Sequence, residues 1–293
     1  MITVVRAGPL TTVQDLGRPG WAHLGVPRSG ALDPAALRHA NRLVGNPPDA
    51  AGLETTLLGC AVRCERATTI AVTGAPARIR LDGAGAPHGA PIAVPAGATV
   101  DVGRATAGLR SYVAVAGGID VQPVLGSRAT DTLSGLGPAT LSTGDTLPVG
   151  TAASGVRTPA GEAPVGEAPV GEAPAEKPPD GGLVLRVRLG PRDDWFGVDA
   201  VRLLLGSAYT VSPMSNRIGA RLAGPALPRS VAGELESEGV VLGAVQVPSD
   251  GQPLIFLADH PTTGGYPVIG VVDDVTPLAQ ARPGATVYFR DHD

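Results

Sequence analysis

Thr69-Ile70-Ala71-Val72-Thr73-Gly74 and Ala77-Arg78-Ile79-Arg80-Leu81 are two short apolar runs separated only by Ala75-Pro76. Each has five or six residues, too few for a stable helix, and the first is rich in Val, Ile and Thr. Gly and Pro bound both, so the stretch reads as two strands and a turn. The same signature recurs at Ala98–Val102, Ser111–Ala116, Leu183–Leu189, Gly243–Val247, Leu254–Ala258, Val268–Val272 and Thr286–Arg290. Short strands closely spaced by turns argue for barrels or sandwiches rather than βαβ units. A few helices interrupt the pattern. Asp33-Pro34 opens one, with Asp as N-cap and Pro at the first helical position. Leu37, Ala40 and Val44 give it an apolar stripe, and Gly45 is its stop. Thr276-Pro277 repeats the start signature, and Asp199–Leu205 is a third candidate. The expected class is mainly β with a few short helices.

Composition narrows the function. Of 293 residues, 43% are hydrophobic and 17% charged, with 41 Gly and 29 Pro. The chain can therefore bury a sizeable core, and the turn residues belong to the fold. A formal charge of -4 gives no electrostatic pull toward nucleic acid or an anionic membrane. Lysine occurs once, at Lys177, so no G-x-x-x-x-G-K-[ST] phosphate loop exists. A Schiff-base lysine and a biotin-bearing lysine in a folded carrier domain are excluded on the same count. Two cysteines, Cys60 and Cys64, make neither a disulfide framework nor a zinc signature, so no metal is expected. The Met1 end lacks a signal-peptide core and no apolar run reaches 18 residues, so a cytoplasmic protein without membrane contact is expected.

Residues 151–182 mark the boundary. They carry Gly-Glu-Ala-Pro-Val at Gly161–Val165 and Gly166–Val170, then Gly171-Glu172-Ala173-Pro174-Ala175. Proline in each copy removes an N–H and fixes φ, so an extended linker or surface loop is expected between domains 1–150 and 183–293. Deleting it should leave activity nearly intact; a folded but inactive deletion variant would refute that reading.

Polar blocks punctuate the strands. Thr12-Val13-Gln14-Asp15-Leu16-Gly17-Arg18-Pro19-Gly20-Trp21, read as a loop, leads to Pro27-Arg28-Ser29-Gly30 and the Asp33 helix start. Glycines allow close backbone approach and Arg offers a two-pronged donor, so the block resembles an anion cradle as well as a turn-rich entry to a barrel. Gly117-Gly118 after an apolar strand offers N–H groups to an oxyanion, or is simply a hairpin turn. Ser215-Asn216-Arg217, Glu238, Gln246 and the run Asp259-His260-Pro261-Thr262-Thr263-Gly264-Gly265-Tyr266 complete the set. Asp259 and His260 are neighbours, and neighbours on a strand point to opposite faces, so no direct relay between them is expected. His23, His39, His88 and His292 show no partner pattern. The residues 14–30, 117–128 and 259–266 are expected to converge in one positively lined crevice.

Seven ordered strings carry a resemblance: Gln14-Asp15-Leu16-Gly17-Arg18, Pro27-Arg28-Ser29-Gly30-Ala31, Ala40-Asn41-Arg42-Leu43-Val44-Gly45-Asn46, Ala114–Asp120, Val124-Leu125-Gly126-Ser127-Arg128, Gly243–Pro248 and Thr262–Pro267. The chain resembles the allophanate hydrolase subunit 2 family, also called biotin-dependent carboxyltransferase-like, which includes the C subunits of bacterial 5-oxoprolinases. The resemblance implies two tandem cyclophilin-like β-barrel domains. It implies partnership with a subunit 1 (B) homologue and a lactam-utilisation (A) homologue, and a small lactam or amide substrate. The implied activity is ATP-dependent opening of 5-oxo-L-proline to glutamate, with ATP held here or by a partner. The alternatives are carboxyl transfer from carboxybiotin, with biotin on a partner, and a non-catalytic regulatory partner of a kinase-inhibitor homologue. On the leading reading, Arg18, Arg28, Arg128 or Arg217 holds the substrate carboxylate. Gly117–Gly118 and Gly264–Gly265 stabilise the oxyanion, and His260, Glu238 or Asp259 moves protons. Gln14, Asp15, Ser29, Ser215, Gln246, Thr262, Thr263 and Tyr266 line the site. Two residues depart from the family pattern. Pro261 stands where Gln is usual, and Asn216 stands where Asp is usual and so cannot act as a carboxylate base.

Overall fold

The computed structural model describes residues 1–151 and 181–292. The expected linker, apart from residues 151, 181 and 182, lies outside them. The chain divides into two compact units, Met1–Thr158 and Pro159–Asp293.

Two antiparallel sheets build the first unit. One runs in the order Thr146–Leu147, Ile2–Arg6, Ala61–Cys64, Thr99–Ala105, Ala77–Leu81, Ala84–Ala86. The other runs Thr11–Gln14, Gly52–Thr56, Arg110–Val115, Thr68–Gly74, Pro91–Val94. Strand alternation explains how they pack. Ile70, Val72, Val113 and Val115 meet Ile2, Val4, Val62, Val100 and Val102 of the other sheet in the main core. The intervening Ala71 and Ala114 turn the other way, onto Ala40 of the helix Pro34–Leu43 and Val44, which caps it. Tyr112 packs on Leu37 of the same helix. This sheet is thus covered on both faces, and every residue of Arg110–Val115 is buried. The helix starts and stops where its sequence dictates. The Asp33 side chain accepts the Ala36 N–H at 3.0 Å, and Gly45 takes φ +73° past the end.

The second unit contains a closed seven-stranded barrel: Leu183–Leu189, Val268–Val272, Ala244–Gln246, Leu254–Phe256, Gly219–Ala223, Ala208–Val211 and Thr286–Asp291. The last strand closes on the first in parallel, with Leu183 opposite Val287 and Leu185 opposite Phe289. Closure removes the sheet edges, and side chains fill the interior of so small a barrel. Leu185, Val187, Tyr209, Val245, Ile255, Val287 and Phe289 are fully buried, and the Tyr209 and Phe289 rings meet edge to face at 5.8 Å. Gly270 permits this packing, since a Cβ there would lie 2.6 Å from Val187 Cγ2.

All nine expected strands are present, with ends shifted by up to three residues. Two local expectations are corrected. Thr12, Val13 and Gln14 are not loop but strand, buried along their whole length, because partners inside the fold take up their polar groups. Thr276 is the first residue of its short helix rather than its cap; Asp274 accepts the Thr276 N–H at 2.8 Å instead. Cys60 and Cys64 are buried, which pushes both thiols up to about 11 and keeps them protonated. Among the described residues no helix is long and apolar enough to cross a membrane, and no cluster of three metal-ligating side chains occurs.

Candidate substrate sites on the two units

In the first unit Asp15 is the hub. Its Oδ1 accepts the Ser127 hydroxyl at 2.6 Å and the Gly17 N–H at 2.7 Å, and its Oδ2 accepts the Arg128 N–H at 2.6 Å. Arg18, fully buried, donates to the carbonyls of Ala129 and, at 3.4 Å, Val124. Gln14 Nε2 and the Ser29 hydroxyl both donate to the Thr130 carbonyl, at 2.9 and 3.1 Å. The third expected stretch, 259–266, belongs to the other unit, whereas within this unit residues 14–30 and the end of 117–128 do come together. Glycines make it possible. Gly17 and Gly30 have φ +84° and +92°, and a Cβ on Gly17 would lie 2.5 Å from the Arg28 carbonyl oxygen. Between them Ser29 takes φ +53°, a conformation L-residues rarely hold without surrounding constraint.

The same contacts revise several expected roles. Arg18 is bound to backbone carbonyls, so its geometry is that of a brace rather than a substrate clamp. The Gly117 N–H donates to Asn46 Oδ1 at 2.8 Å and the Gly118 N–H to the Val115 carbonyl at 2.8 Å, so this turn offers no oxyanion hole. Two guanidiniums do face solvent. Arg28 is exposed, and Arg128, whose side chain is 35% exposed, reaches Asp120 at 2.7 Å. Such a surface pair holds weakly and can exchange its partner.

Sequence reading missed a buried network behind this loop. Glu54 Oε2 accepts the Tyr112 hydroxyl at 2.8 Å and the Leu32 N–H at 3.0 Å, and Tyr112 Oη accepts the Asp33 N–H at 2.8 Å. Arg110 Nε lies 3.5 Å from Glu54 Oε1. A charged residue inside a strand-like run, at Glu54 in Gly52–Thr56, was the available signal, since an ionised group is buried only with partners.

In the second unit Arg217 and Asp259 form a two-pronged ion pair, Nε to Oδ2 at 2.9 Å and Nη2 to Oδ1 at 3.0 Å, both side chains 0% exposed. Asp259 is thereby fixed as a structural carboxylate, contrary to its expected proton-moving role, and Arg217 is not a surface anion clamp. Glu238 is likewise forked, by Arg192 through Nε to Oε2 at 2.9 Å and through Nη2 to Oε1. The Arg192 hydrogen bond holds its carboxyl below the ordinary value. Glu238 therefore stays ionised at neutral pH, and its contact is lost only as pH falls through that lowered value. This geometry does not suit a proton donor.

His260 is different. It is buried, its ring lies 5.9 Å from that of Phe256, and Nδ1 sits 2.6 Å from the Pro261 carbonyl. That carbonyl requires a donor, so Nδ1 carries the hydrogen in this contact. Asp259 and His260 lie in the turn after strand Leu254–Phe256, not on it. Asn216 Oδ1 accepts the Ile218 and Gly219 N–H groups at 2.8 and 3.2 Å. An amide oxygen serves that turn, so the departure from Asp at this position leaves the turn intact. The Ser215 hydroxyl accepts the Arg221 N–H at 3.0 Å and so also belongs to the turn. Thr263 and Gly264 pair with Gly239 and Glu238, and Gln246 Nε2 donates to the Tyr266 carbonyl at 3.0 Å. A Cβ on Gly264 would lie 2.6 Å from Gln246 Nε2, so a larger residue there would displace that amide from the Tyr266 carbonyl. Thr262 gives its carbonyl to the Val240 N–H, while Gly265 and Tyr266 are exposed.

Residues 24–291 match the family described as carboxyltransferase domain, subdomain A and B. The chain is 39% identical to the C subunit of 5-oxoprolinase from Escherichia coli K12, over 99% of its own length and 90% of that protein. The crystal structure of TTHA0988 superposes with TM-score 0.83 at 36% identity, over 99% of this chain and 55% of that one. Urea amidolyase of K. lactis superposes with TM-score 0.87 at 31% identity, over 100% of this chain but 19% of that one. The chain thus spans about half of the first solved structure and a fifth of the second.

Proposed function

The chain belongs to the carboxyltransferase domain family, subdomains A and B, and on that premise we propose that it acts as the C subunit of an ATP-dependent 5-oxoprolinase complex. The observation that carries the reading is the 39% identity spanning 90% of the E. coli C subunit, against 31% identity to a fifth of the K. lactis urea amidolyase. The reaction opens 5-oxo-L-proline to L-glutamate together with the A and B subunits. A lactam amide is a poor electrophile, so the chemistry needs an activating co-substrate.

Neither a lysine nor the Gly117–Gly118 turn supports phosphate binding by the described residues of this chain. The Gly117 and Gly118 N–H groups are bound within the fold, and lysine is absent from residues 1–151 and 181–292. In this proposal ATP is held by a partner protein, and this chain binds and orients the small acid. On the first unit Arg128 and Arg28 offer the solvent-facing guanidiniums for the substrate carboxylate, with Arg128 exchanging Asp120 for the ligand.

The test is turnover of 5-oxoproline and substrate-dependent ADP release by the complex reconstituted from all three proteins. Arg128→Ala should lower turnover at least about tenfold, since a charge-assisted contact contributes roughly 1.5–3 kcal/mol and ~1.4 kcal/mol is a decade in rate. Unchanged turnover would remove Arg128 from the site. A second reading, a carboxyltransferase component working with a biotin-bearing partner, is favoured by the TM-score of 0.87 to urea amidolyase. Capture of a biotinylated partner on avidin, without 5-oxoproline-dependent ADP release, would select it.

A further inference from the structure

Arg229 lies outside every polar block singled out in the sequence. Its backbone is anchored on both sides: it bridges Phe196, and the next residue, Ser230, donates its N–H to the Trp195 carbonyl at 2.9 Å. The side chain reaches two different segments. Nη2 donates to the Val247 carbonyl at 2.6 Å, and Cζ stands 5.7 Å from the centre of the Tyr266 ring. Those segments are themselves cross-tied, Val247 N–H to the Pro267 carbonyl at 3.0 Å and Gln246 Nε2 to the Tyr266 carbonyl at 3.0 Å. Backbone ties fix the path of residues 262–267, but they do not orient the Tyr266 side chain, which is 46% exposed. The guanidinium over its ring, a cation–π contact, supplies that orientation. Arg229 also forms part of the wall of an open depression of about 560 Å³, beside Leu227, Val231 and Pro248.

We infer that Arg229 is a positioning residue: it clamps Tyr266 and Val247 together and sets the pose in which the Tyr266 ring meets the substrate. Only arginine can do both tasks at once. Its plane stacks on an aromatic face while the in-plane N–H groups donate outward, whereas an ammonium is a single point charge. The inference about substrate rests on the 5-oxoprolinase reading; the clamp itself does not.

The experiment uses the full chain in the reconstituted complex, as wild type, Arg229→Lys, Arg229→Ala, Tyr266→Leu and the Arg229→Lys/Tyr266→Leu double variant. Amide hydrogen exchange is read at Val247 and across residues 262–268, with thermal melting in parallel. Both Arg229 variants should raise exchange at Val247 and in 262–268 by about tenfold while the melting temperature stays near wild type, because local opening is separable from global unfolding. Kinetically, both should lower kcat/KM for 5-oxoproline by about fivefold through KM, and the double variant should lose no more than Tyr266→Leu alone. Unaltered exchange in Arg229→Lys overturns the clamp. A rise in exchange throughout the second unit with a lowered melting temperature overturns positioning in favour of general support. Additive kinetic losses in the double variant overturn the link to Tyr266. A wild-type complex that does not turn over 5-oxoproline sinks the functional reading instead, and the exchange measurement then decides the clamp alone.

Discussion

Asp259→Ala should destabilise the second unit by about 3–5 kcal/mol, because it strands the Arg217 guanidinium's charge in the interior without its carboxylate. Both side chains are wholly buried and meet through two hydrogen bonds of 2.9 and 3.0 Å. Domains are stable by roughly 5–15 kcal/mol, so this one change removes about a fifth of the margin or more. Urea unfolding of the purified chain measures it. Replacing both partners with apolar residues, as Arg217→Met/Asp259→Leu, should cost less than the single change, since no charge is then left buried. A single-variant loss below about 1 kcal/mol would place the pair in a solvated setting and contradict its burial. The same geometry separates structure from chemistry. Asp259→Asn, if it folds, should keep the pH profile of wild-type turnover, whereas a proton-moving carboxylate would shift it.

Glu54→Ala is the second large effect, about 3–5 kcal/mol in the first unit by the same reasoning. The carboxylate joins Tyr112, Arg110 and the Leu32 N–H, and through Tyr112 it reaches Asp33. The loss should therefore include the loop that carries Arg28 and Ser29, read as faster hydrogen exchange at Leu32 and Asp33. Tyr112→Phe removes one of these contacts and should cost only about 0.5–1.5 kcal/mol if the neighbouring groups adjust. Burial, and next the Glu54 charge, push the Tyr112 phenol well above its ordinary value. A proton held more tightly in the native state stabilises it below the ordinary phenol value and ceases to do so as pH rises above it. Stability of this unit should thus fall on raising the pH beyond about 10. A flat profile there would mean that the phenol is solvated.

The strands legible in the sequence were those whose composition matched their burial. Ile70 and Val72 face the core between the two sheets, and apolar Ala71 meets the helix, so Thr68–Gly74 announces itself. Thr11–Gln14 did not, because a strand built from two threonines and a glutamine looks like a loop until its hydrogen-bond partners are known. Those partners are distant in sequence: Thr11 Oγ1 meets Thr55, and Gln14 meets Thr130. The polar blocks were likewise found by residue type, and their roles were not. Glycine pairs suggested an oxyanion hole at 117–118, and Asn46, seventy-one residues upstream of Gly117, takes up the first of those N–H groups.

From residue order alone came the β class, the helix bounded by Asp33 and Gly45, the absence of a lysine-based phosphate loop and the family. These depend on local backbone preference and on which groups exist at all. Tertiary structure alone decided that Arg18, Arg217 and Asp259 hold the fold, that Glu238 pairs with Arg192 at a half-exposed position, and that Arg28 and Arg128 face solvent. An arginine or carboxylate has the same intrinsic chemistry in either place. What differs is its desolvation and the partner brought to it by a chain segment dozens of residues away, and neither quantity is written in the neighbouring sequence.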